Sequence, residues 1–428
     1  MEFIELGHAW KRLPYLVIVL TDYAMLSWFG TFAEFTGHPA GAYQVGTVVF
    51  VGLNLVLLLA PLWKTPSPIP IPAVAKCAGP VRVTGSRRRR LAMGILFAGL
   101  TAAALVFRLS AIARTHADAS VADMLPIVIQ ASQNLLAGHD PYTTYQFPSH
   151  STPMQWLPAL WLPYVPAVWM GLDPRIVGLA AVLCCAALLG LARWGPSGER
   201  AGTVTRPVVD WMRLGLAGGV LLAPAAVWFG AIGHTQVYWL FLIAFLWTLS
   251  RRWWMWAGLW LGFCLMSRHT MLPLLPVVGL YAARCLEPRH RWRLVGMATL
   301  MVAVLAAPFG IKGIRHFLFE SPAYYWQLGN NAWTQTPWWV THTFGLGTFL
   351  YPAGYGHALS WIGILLLMGV YLIAFRSVRD LASFAHCFTL GLLIVTISVP
   401  TPFRYEFFPM ILLLSTLPLV RSSVDSAP

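Results

Sequence analysis

The sequence predicts an all-α integral membrane protein, a polytopic helical bundle of about 12 (11–13) transmembrane helices with two long loops on the outer side. Of its 428 residues, 58% are hydrophobic and only 10% are charged, a balance that no soluble fold needs. Apolar stretches of about 20 residues, the length that crosses a bilayer, recur from the beginning of the chain to its end. The length of the chain therefore accounts for membrane spans rather than for soluble domains.

Twelve apolar stretches are candidate spans. In chain order they are 14–33, 43–63, 91–112, 176–194, 214–232, 235–250, 253–267, 271–285, 294–311, 358–375, 383–400 and 405–420. A further apolar stretch, 155–172, carries Pro158, Pro163 and Pro166. Since proline removes a helix donor and clashes with the preceding turn, this stretch is predicted to be a bent, interfacial or re-entrant piece.

Basic residues orient the chain. The formal net charge is +14, and most of the 29 Lys and Arg residues fall in segments that share one side when the amino terminus is inside. An excess of basic residues in short loops marks the cytoplasmic side. The positive net charge is thus explained by the membrane topology, and no nucleic-acid partner is expected. The pattern predicts a multi-pass protein of the cell inner (plasma) membrane, surrounded by membrane lipids.

Composition divides the chain into four segments. These are an amino-terminal transmembrane hairpin (1–63), a basic, proline-rich cytoplasmic linker (64–90), a transmembrane body (91–420) and a short cytoplasmic tail (421–428). Ala40-Gly41-Ala42 is similar to a signal-peptidase site, so a cleaved signal peptide is kept as an alternative for the first span. The two long outer loops of the body are 113–152 and 312–357, and both are too long to be simple connectors.

Unusual polar residues gather on the outer side of this topology. They are Asp118, Asp123 and Tyr142 in the first loop, His234 and Gln236 at one outer turn, Arg268 and His269 at the next, Lys312, Arg315, Asn330, Asn331, Trp333, Trp338 and His342 in the second loop, and Arg404 in the last turn. Ionisable groups near membrane depth line a cavity, pair with one another or react. A site facing the periplasm or the cell exterior is expected.

The outer segments contain few acidic residues among several cationic ones. This balance suits the transfer of a sugar from a lipid phosphate. One carboxylate must accept the proton of the acceptor hydroxyl, and cations must stabilise the departing phosphate. Asp123 is the candidate base, with Asp118 as a second carboxylate that could tune it. The candidate phosphate ligands are Arg268, Arg404, Lys312 and Arg315. Two simpler interpretations stay open: Asp123 could only cap a helix, and the arginines could only reach to the membrane interface.

At these residues the chain resembles the C-type (GT-C) membrane glycosyltransferases, and among them glycosyltransferase family 87, which includes polyprenyl-phosphate-mannose-dependent mannosyltransferases. The resemblance covers residues 91–420. It rests on the run 123–142, which opens with Asp123 and ends in LLAGHDPY, on the proline-containing run MQWLPALWLPYVP, on the GHTQ turn, and on Asn330-Asn331.

The resemblance implies a helical bundle with an outward-facing cavity, Asp123 as the catalytic base and an inverting transfer, most readily of mannose, to a lipid or glycan acceptor. It also implies substrate contacts for His234, Gln236, His269, Tyr142, Asn330, Asn331, His342, Trp333 and Trp338. Three features depart from the family pattern. Arg268 stands where relatives commonly have Lys, the last outer turn TPFRYEFF lacks a His pair, and the hairpin 1–63 precedes the matching part.

A multi-pass transporter or flippase is the rival interpretation. Such a protein would also need many spans and a few buried charges, but it usually shows internal repeats, which the sequence lacks. Another lipid-linked enzyme, such as an O-antigen ligase, is a further alternative. Since Asp118, Asp123 and Asp140 form no compact Asp-x-Asp motif, no metal and no cofactor beyond the lipid-linked donor are predicted. Asp140, which precedes Pro141, is predicted to be a turn residue.

Overall fold

A computed structural model describes residues 13–35, 37–63, 87–118, 122–148, 151–192, 194–195, 206–335, 343–400 and 404–424. Most of these residues form helices, and one small antiparallel pair of strands is present, β1 (Thr144–Gln146) and β2 (Ser151–Pro153), in which Tyr145 lies opposite Thr152. The prediction of an all-α membrane protein is therefore confirmed in its general form, and the short pair of strands was not foreseen.

The α-helices are numbered in chain order. They are α1 (Leu13–Phe35), α2 (Pro39–Trp63), α3 (Arg87–Arg114), α4 (Met124–Leu136), α5 (Pro158–Trp161), α6 (Val165–Trp169), α7 (Arg175–Gly190), α8 (Arg206–Leu222), α9 (Pro224–Ile232), α10 (Gln236–Ser250), α11 (Trp254–Leu265), α12 (Leu275–Cys285), α13 (Pro288–Ala306), α14 (Gly310–Arg315), α15 (Ser321–Gln335), α16 (Gly347–Leu350), α17 (Leu359–Ser377), α18 (Leu381–Ile397) and α19 (Phe408–Val424).

Each of the predicted spans coincides with a helix or with a bent pair of helices. In the described part of the chain, 4 helices are long and apolar enough to cross a membrane: Ala40–Leu62, Leu91–Arg114, Pro288–Tyr324 and Gly356–Ser377. A fifth candidate is the pair α8 and α9, which meet at 44°. The other apolar helices are 10–17 residues long. The chain is thus membrane-embedded, and the total of twelve crossings stays a prediction.

The stretch 155–172 is broken, as its prolines predict. It consists of α5, a 3-10 turn (Leu162–Tyr164) and α6, none of which is long enough to span a bilayer. Trp161 and Tyr164 are fully buried in it. It therefore packs into the protein as a bent piece.

Two predicted boundaries shift. The linker 64–90 lies outside the described residues up to position 86, but Arg87–Arg90 already belong to α3. Arginine is a good helix former, so an apolar helix can extend into a basic run. The second long loop is helical over most of its described length, because α13 continues through a 3-10 turn, α14 and a π-helical turn (His316–Glu320) into α15.

The Arg108 side chain donates hydrogen bonds to backbone carbonyls at the break between α8 and α9. Pro224 has no N–H group to donate, so the carbonyls before it lose their helical partners. Arg108, only 3% exposed, donates from Nη2 to Val220 O (2.7 Å), from Nε to Leu221 O (3.0 Å) and from Nη1 to Ala226 O (3.1 Å). Because water is scarce at this depth, the guanidinium is what makes the bend tolerable.

The amino-terminal hairpin packs into the body. α1 lies against α8, α9 and α19, and α2 lies against α18. Tyr15 hydrogen-bonds His386 (2.9 Å), the Gly345 amide donates to Thr47 Oγ1 (3.2 Å), and Gln44 donates to Thr348 O (2.9 Å). The hairpin, which had no predicted role, therefore fixes the segment 345–348 of the second long loop.

Replacing Arg108 with Met should destabilise the bundle. Three carbonyls would lose a charged donor, so we expect the free energy of unfolding to fall by about 3 kcal/mol. Thermal unfolding of the purified protein in detergent measures this. Arg114→Met, at the exposed end of the same helix, is the matched control and should unfold like the parent chain. Equal stability of the two variants would contradict this role of Arg108.

Candidate functional site

A cavity of about 450 Å³ lies where several parts of the chain meet. These are the start of α4, the residues after β2, the start of α10, the turn after α11, the start of α15, the start of α17, the end of α18 and the start of α19. Its polar lining is Gln155, Ser267, Arg268, His269, Thr270, Ser321, Ser360, Thr396, Ser398 and Glu406. Most of the remaining lining is apolar, with Trp156, Tyr238 and Trp326 at one part and Ile364, Leu367, Leu392 and Val395 at another.

An ion pair joins two of the elements around this cavity. Arg268 Nη1 lies 3.3 Å from Glu406 Oε1, and the two side chains are 17% and 8% exposed. Arg268 has an extended backbone (φ −145°, ψ 136°) between α11 and the 3-10 turn His269–Leu274, and Glu406 lies in the 3-10 turn Arg404–Phe407. The predicted phosphate ligand Arg268 therefore faces the cavity together with a carboxylate that the sequence analysis did not assign.

His269 lines the same cavity in a defined protonation state. Its Nε2 hydrogen-bonds the Phe317 carbonyl, so in the neutral ring Nε2 carries the proton and Nδ1 is the acceptor. Burial lowers the pKa of His269, the bond to the Phe317 carbonyl opposes this shift, and Arg268 and His316 add to it. At neutral pH the ring is thus an uncharged hydrogen-bonding group.

His234 lies behind the cavity wall, under Trp156. The two ring centroids are 4.0 Å apart, and the side chain of His234 is fully buried. Its backbone carbonyl accepts a bond from Tyr164 Oη (2.7 Å), but within the described part of the chain neither ring nitrogen meets a hydrogen-bond partner. Burial and then Arg268 hold the pKa of His234 well below its usual range. The ring is therefore neutral and close to the ion pair.

Only one end of the Gln236 side-chain amide has a hydrogen-bond partner among the described residues. Its Nε2 donates to Phe229 O (2.9 Å), a carbonyl that also accepts from the Gly233 amide at the end of α9. This supports the simpler interpretation that the GHTQ turn satisfies backbone groups at a helix end. Gln236 Oε1 is buried and meets no hydrogen donor among the residues that the structure describes.

Asp123 directly precedes the cavity residue Met124 and is half-buried. It stands at the N-cap position of α4, yet its side chain makes no capping hydrogen bond, so the structure does not support the simple capping interpretation. Met124 reaches the GHTQ turn, because its Cε lies 3.7 Å from the point where a Cβ on Gly233 would be. Asp123 itself is not part of the cavity lining.

Asp118 lies on another surface. It is exposed and lines a second cavity of about 560 Å³ together with Gln130, Gln133 and Phe147. The structure therefore does not bring Asp118 into the cavity that holds Arg268.

Tyr142 positions the wall of the cavity. Its hydroxyl donates to Trp156 O (3.3 Å) and accepts from Trp161 Nε1 (3.1 Å), and its ring packs 4.9 Å from Phe317. Burial raises the pKa of Tyr142, which keeps the hydroxyl protonated. Asp140 Oδ1 accepts from the Tyr142 amide (2.8 Å), which confirms the predicted turn.

Other predicted residues lie away from the cavity. Lys312 and Arg315 are exposed on α14, and Arg315 pairs with Glu320 at 3.1 Å. Trp333 Nε1 donates to Pro400 O (2.8 Å), and the Trp333 ring stacks on Tyr351. These contacts occupy the N–H group and one face of the ring. Asn331 is exposed. The side chains of Asn330 and Arg404, and all of Trp338 and His342, lie outside the described residues.

Sequence reasoning placed Glu406 in the last outer turn but assigned no role to Glu406, Trp156 or Gln155. Glu406 had a usable signal, because it is an acid beside the aromatic residues of an apolar span. Trp156 and Gln155 had none, since a single Trp among 21 does not stand out and Gln155 is an ordinary polar residue. Ser321 fixes the Gln155 backbone by donating to its carbonyl (2.5 Å), while Gln155 Oε1 is buried and unbonded within the described residues.

His234→Phe should not reduce the stability of the fold. A phenyl ring can still pack on Trp156, and it removes two buried nitrogens that lack partners, so unfolding should be unchanged or slightly harder. His386→Phe is the matched control, because both its ring nitrogens are hydrogen-bonded, and it should cost about 1–3 kcal/mol. Thermal unfolding in detergent compares the two. A larger loss for His234→Phe would show that its nitrogens do have structural partners.

The cavity is lined both by charged and hydrogen-bonding residues and by apolar residues of α17 and α18. Such a lining suits an amphipathic ligand, with a polar head near Arg268 and His269 and an apolar part along α17 and α18. No family model, no curated protein and no solved structure matches the chain. Its function is therefore inferred from the residues and the geometry of this cavity.

Proposed function

We propose that this chain is a membrane glycosyltransferase. It would move a sugar, in the first place mannose, from a polyprenyl-phosphate-linked donor to a lipid or glycan acceptor on the extracytoplasmic face. The observation that carries the proposal is one cavity lined both by Arg268 and His269 and by an apolar wall of α17 and α18 residues, with Met124, the residue after Asp123, also in its lining. Such a wall suits a polyprenyl chain, and the guanidinium suits its phosphate.

The reaction that fits these residues is a single displacement. The acceptor oxygen bonds to the anomeric carbon while the bond from that carbon to the phosphate oxygen breaks, and the phosphate leaves with the bonding electrons. The proton of the acceptor hydroxyl passes to the Asp123 carboxylate. Arg268 stabilises the negative charge on the leaving phosphate. Attack opposite the leaving group inverts the configuration of the sugar.

Two tryptophans of the cavity lining are suited to pack against the transferred sugar. Trp156 and Trp326 line the cavity, and aromatic faces present an apolar surface with an electron-rich face to the C–H groups of a pyranose. Trp156 is fixed from behind by His234 and through its carbonyl by Tyr142. A wall fixed in this way would orient the anomeric carbon, which supports catalysis by positioning.

A lipid flippase or transporter is the second candidate, and one observation favours it. The α8–α9 pair is a broken helix with a buried arginine at the break, and discontinuous helices are typical of transporter binding sites. Here, however, the carbonyls at the break bond Arg108, which leaves fewer of them to coordinate a substrate.

Asp123→Asn is the central test. Purified protein in lipid would be given polyprenyl-phosphate-mannose and a panel of lipid and glycan acceptors, and mannose transfer would be measured. We expect the asparagine variant to lose at least about a hundredfold in rate, because an amide cannot take the proton. Asp118→Asn should change the rate far less, since Asp118 lines the other cavity.

Asp140→Asn is the matched control in the same loop. Asparagine can still accept the hydrogen bond from the Tyr142 amide, so the turn and the transfer rate should be retained. Transfer that survives Asp123→Asn would overturn the assigned base. No transfer by the parent chain from any donor, together with lipid or solute movement in vesicles, would favour the flippase or transporter.

Labelling tests the side of the membrane. His139→Cys and Arg289→Cys place single exposed thiols at the end of α4 and at the start of α13. In intact cells a membrane-impermeant maleimide should label position 139 but not position 289, and both should react after lysis. The parent chain gives the background of its own cysteines. Labelling of position 289 alone in intact cells would place the cavity on the cytoplasmic side.

A further inference from the structure

The formal charges of Arg268 and Glu406, which both line the cavity, cancel each other. Among the described residues that line it, Arg268 is the one Lys or Arg and Glu406 is the one carboxylate, and they pair with each other. His269 is neutral, because burial lowers its pKa. An anionic headgroup that entered while the pair stayed intact would meet no net positive charge from these residues. In a largely apolar cavity an uncompensated anion is strongly unfavourable.

The geometry of the pair is that of a bond that can be exchanged. Arg268 and Glu406 share a single contact, Nη1 to Oε1 at 3.3 Å, rather than the two parallel bonds that a guanidinium forms with its preferred partners. The phosphodiester of a lipid-linked sugar offers two non-bridging oxygens and can bond to two guanidinium nitrogens at once. A phosphate is therefore the stronger ligand for Arg268 once the carboxylate has moved.

The backbone beside Glu406 is fixed, so only its side chain needs to move. The next residue, Phe407, is fully buried and packs edge-on against Phe50 of α2 (5.1 Å) and against Phe344 (6.0 Å). Phe50 belongs to the amino-terminal hairpin, and Phe344 lies beside the segment 345–348 that the hairpin holds. A short turn with one anchored aromatic residue allows the neighbouring carboxylate to change rotamer without unfolding.

We propose that Glu406 is a positioning residue that occupies Arg268 in the empty cavity and gives it up to the anionic group of the incoming ligand. This inference rests on the proposed function, because it takes the ligand to be a lipid-linked phosphate. The phosphate replaces the carboxylate on the guanidinium, so Arg268 keeps an anionic partner. The released carboxylate can then accept a hydrogen bond from a hydroxyl of the sugar or of the acceptor.

The opposite role for Glu406 makes a different prediction. If Glu406 only oriented Arg268 and stayed bonded while the phosphate bound elsewhere on the guanidinium, its removal would loosen Arg268 and weaken phosphate binding. If it competes with the phosphate, its removal strengthens binding. The sign of the change in affinity therefore distinguishes the two roles.

The experiment measures binding of farnesyl phosphate to the full chain in lipid nanodiscs, with farnesol as the probe that lacks the phosphate. We expect Glu406→Gln to bind farnesyl phosphate about tenfold more tightly than the parent chain, equivalent to about 1.4 kcal/mol. Glu406→Asp, which keeps the charge on a shorter side chain, should give an intermediate affinity. Binding of farnesol should be the same in all three proteins.

Two further variants complete the test. Glu287→Gln removes an exposed carboxylate that pairs with Arg289 at 3.0 Å, and as the matched control it should leave the affinity unchanged. Arg268→Gln should weaken binding at least tenfold, and adding Glu406→Gln to it should give no gain, since the two residues act through one contact.

The outcomes separate the two proposals. Farnesyl phosphate binding that Glu406→Gln and Glu406→Asp weaken or leave unchanged would overturn the exchange while leaving the transferase proposal in place. A gain in affinity together with no glycosyl transfer by the parent chain would support the exchange and count against the transferase. Failure of every variant, including the parent chain, to bind the phosphate probe would overturn both.

Discussion

The structure depends on bringing a partner to every backbone group and charge that the helices place away from water. Two arginines do most of this near the candidate site. Arg108 bonds the carbonyls at the α8–α9 break, and Arg175 donates to Thr115 O (2.7 Å) at the end of α3 and to Ala231 O (3.4 Å) in α9. Arg175 is itself neutralised by Asp173 at 2.5 Å. Without these bonds the ends of α3 and α9 would expose carbonyls at membrane depth.

These bonds determine where the cavity lies. Fixing α9 fixes the GHTQ turn that follows it, and the turn places His234 beneath Trp156 and near Arg268. Met124 packs against Gly233 in the same turn, which ties the start of α4 to it. The nitrogens of His234, Gln155 Oε1 and Gln236 Oε1, which are buried without a hydrogen-bond partner among the described residues, are then a local loss of stability, and such losses are typical of functional sites. The arginines at the break thus act on the site through the backbone and without touching it.

The sequence could predict what depends on local pattern. Apolar stretches identified the helices, three prolines identified the bent piece 155–172, and Asp140 before a proline identified a turn. It could not predict what depends on contacts between distant segments. The Arg268–Glu406 pair joins residues that lie 138 positions apart, and the contacts of the hairpin with residues 345–348 span about 300 positions. No periodicity encodes which of several polar residues at helix ends will meet.

The same dependence on distant contacts explains why the sequence could not choose among the candidate phosphate ligands. Lys312 and Arg315 looked equivalent to Arg268 in the sequence, since each was a cation in an outer segment. In the structure, the helix from α13 through α15 continues where a loop was expected, and this places Arg315 on an exposed surface with Glu320. A surface ion pair of this kind is screened by water and contributes little to the stability of the fold. Arg268, in contrast, is largely removed from water, where a charge needs a partner at all times.

That requirement makes an arginine better suited than a lysine to position 268. An ammonium group is a compact and strongly hydrated point charge, so it would lose more on burial and would bind one oxygen at a time. A guanidinium is more weakly hydrated, and its donors point in fixed directions in one plane. It can therefore pass from a carboxylate to a phosphate with at least one bond kept throughout. The arginine at position 268 and Glu406, which lines the same cavity, are then two parts of one arrangement, in which the buried cation is never left without an anion.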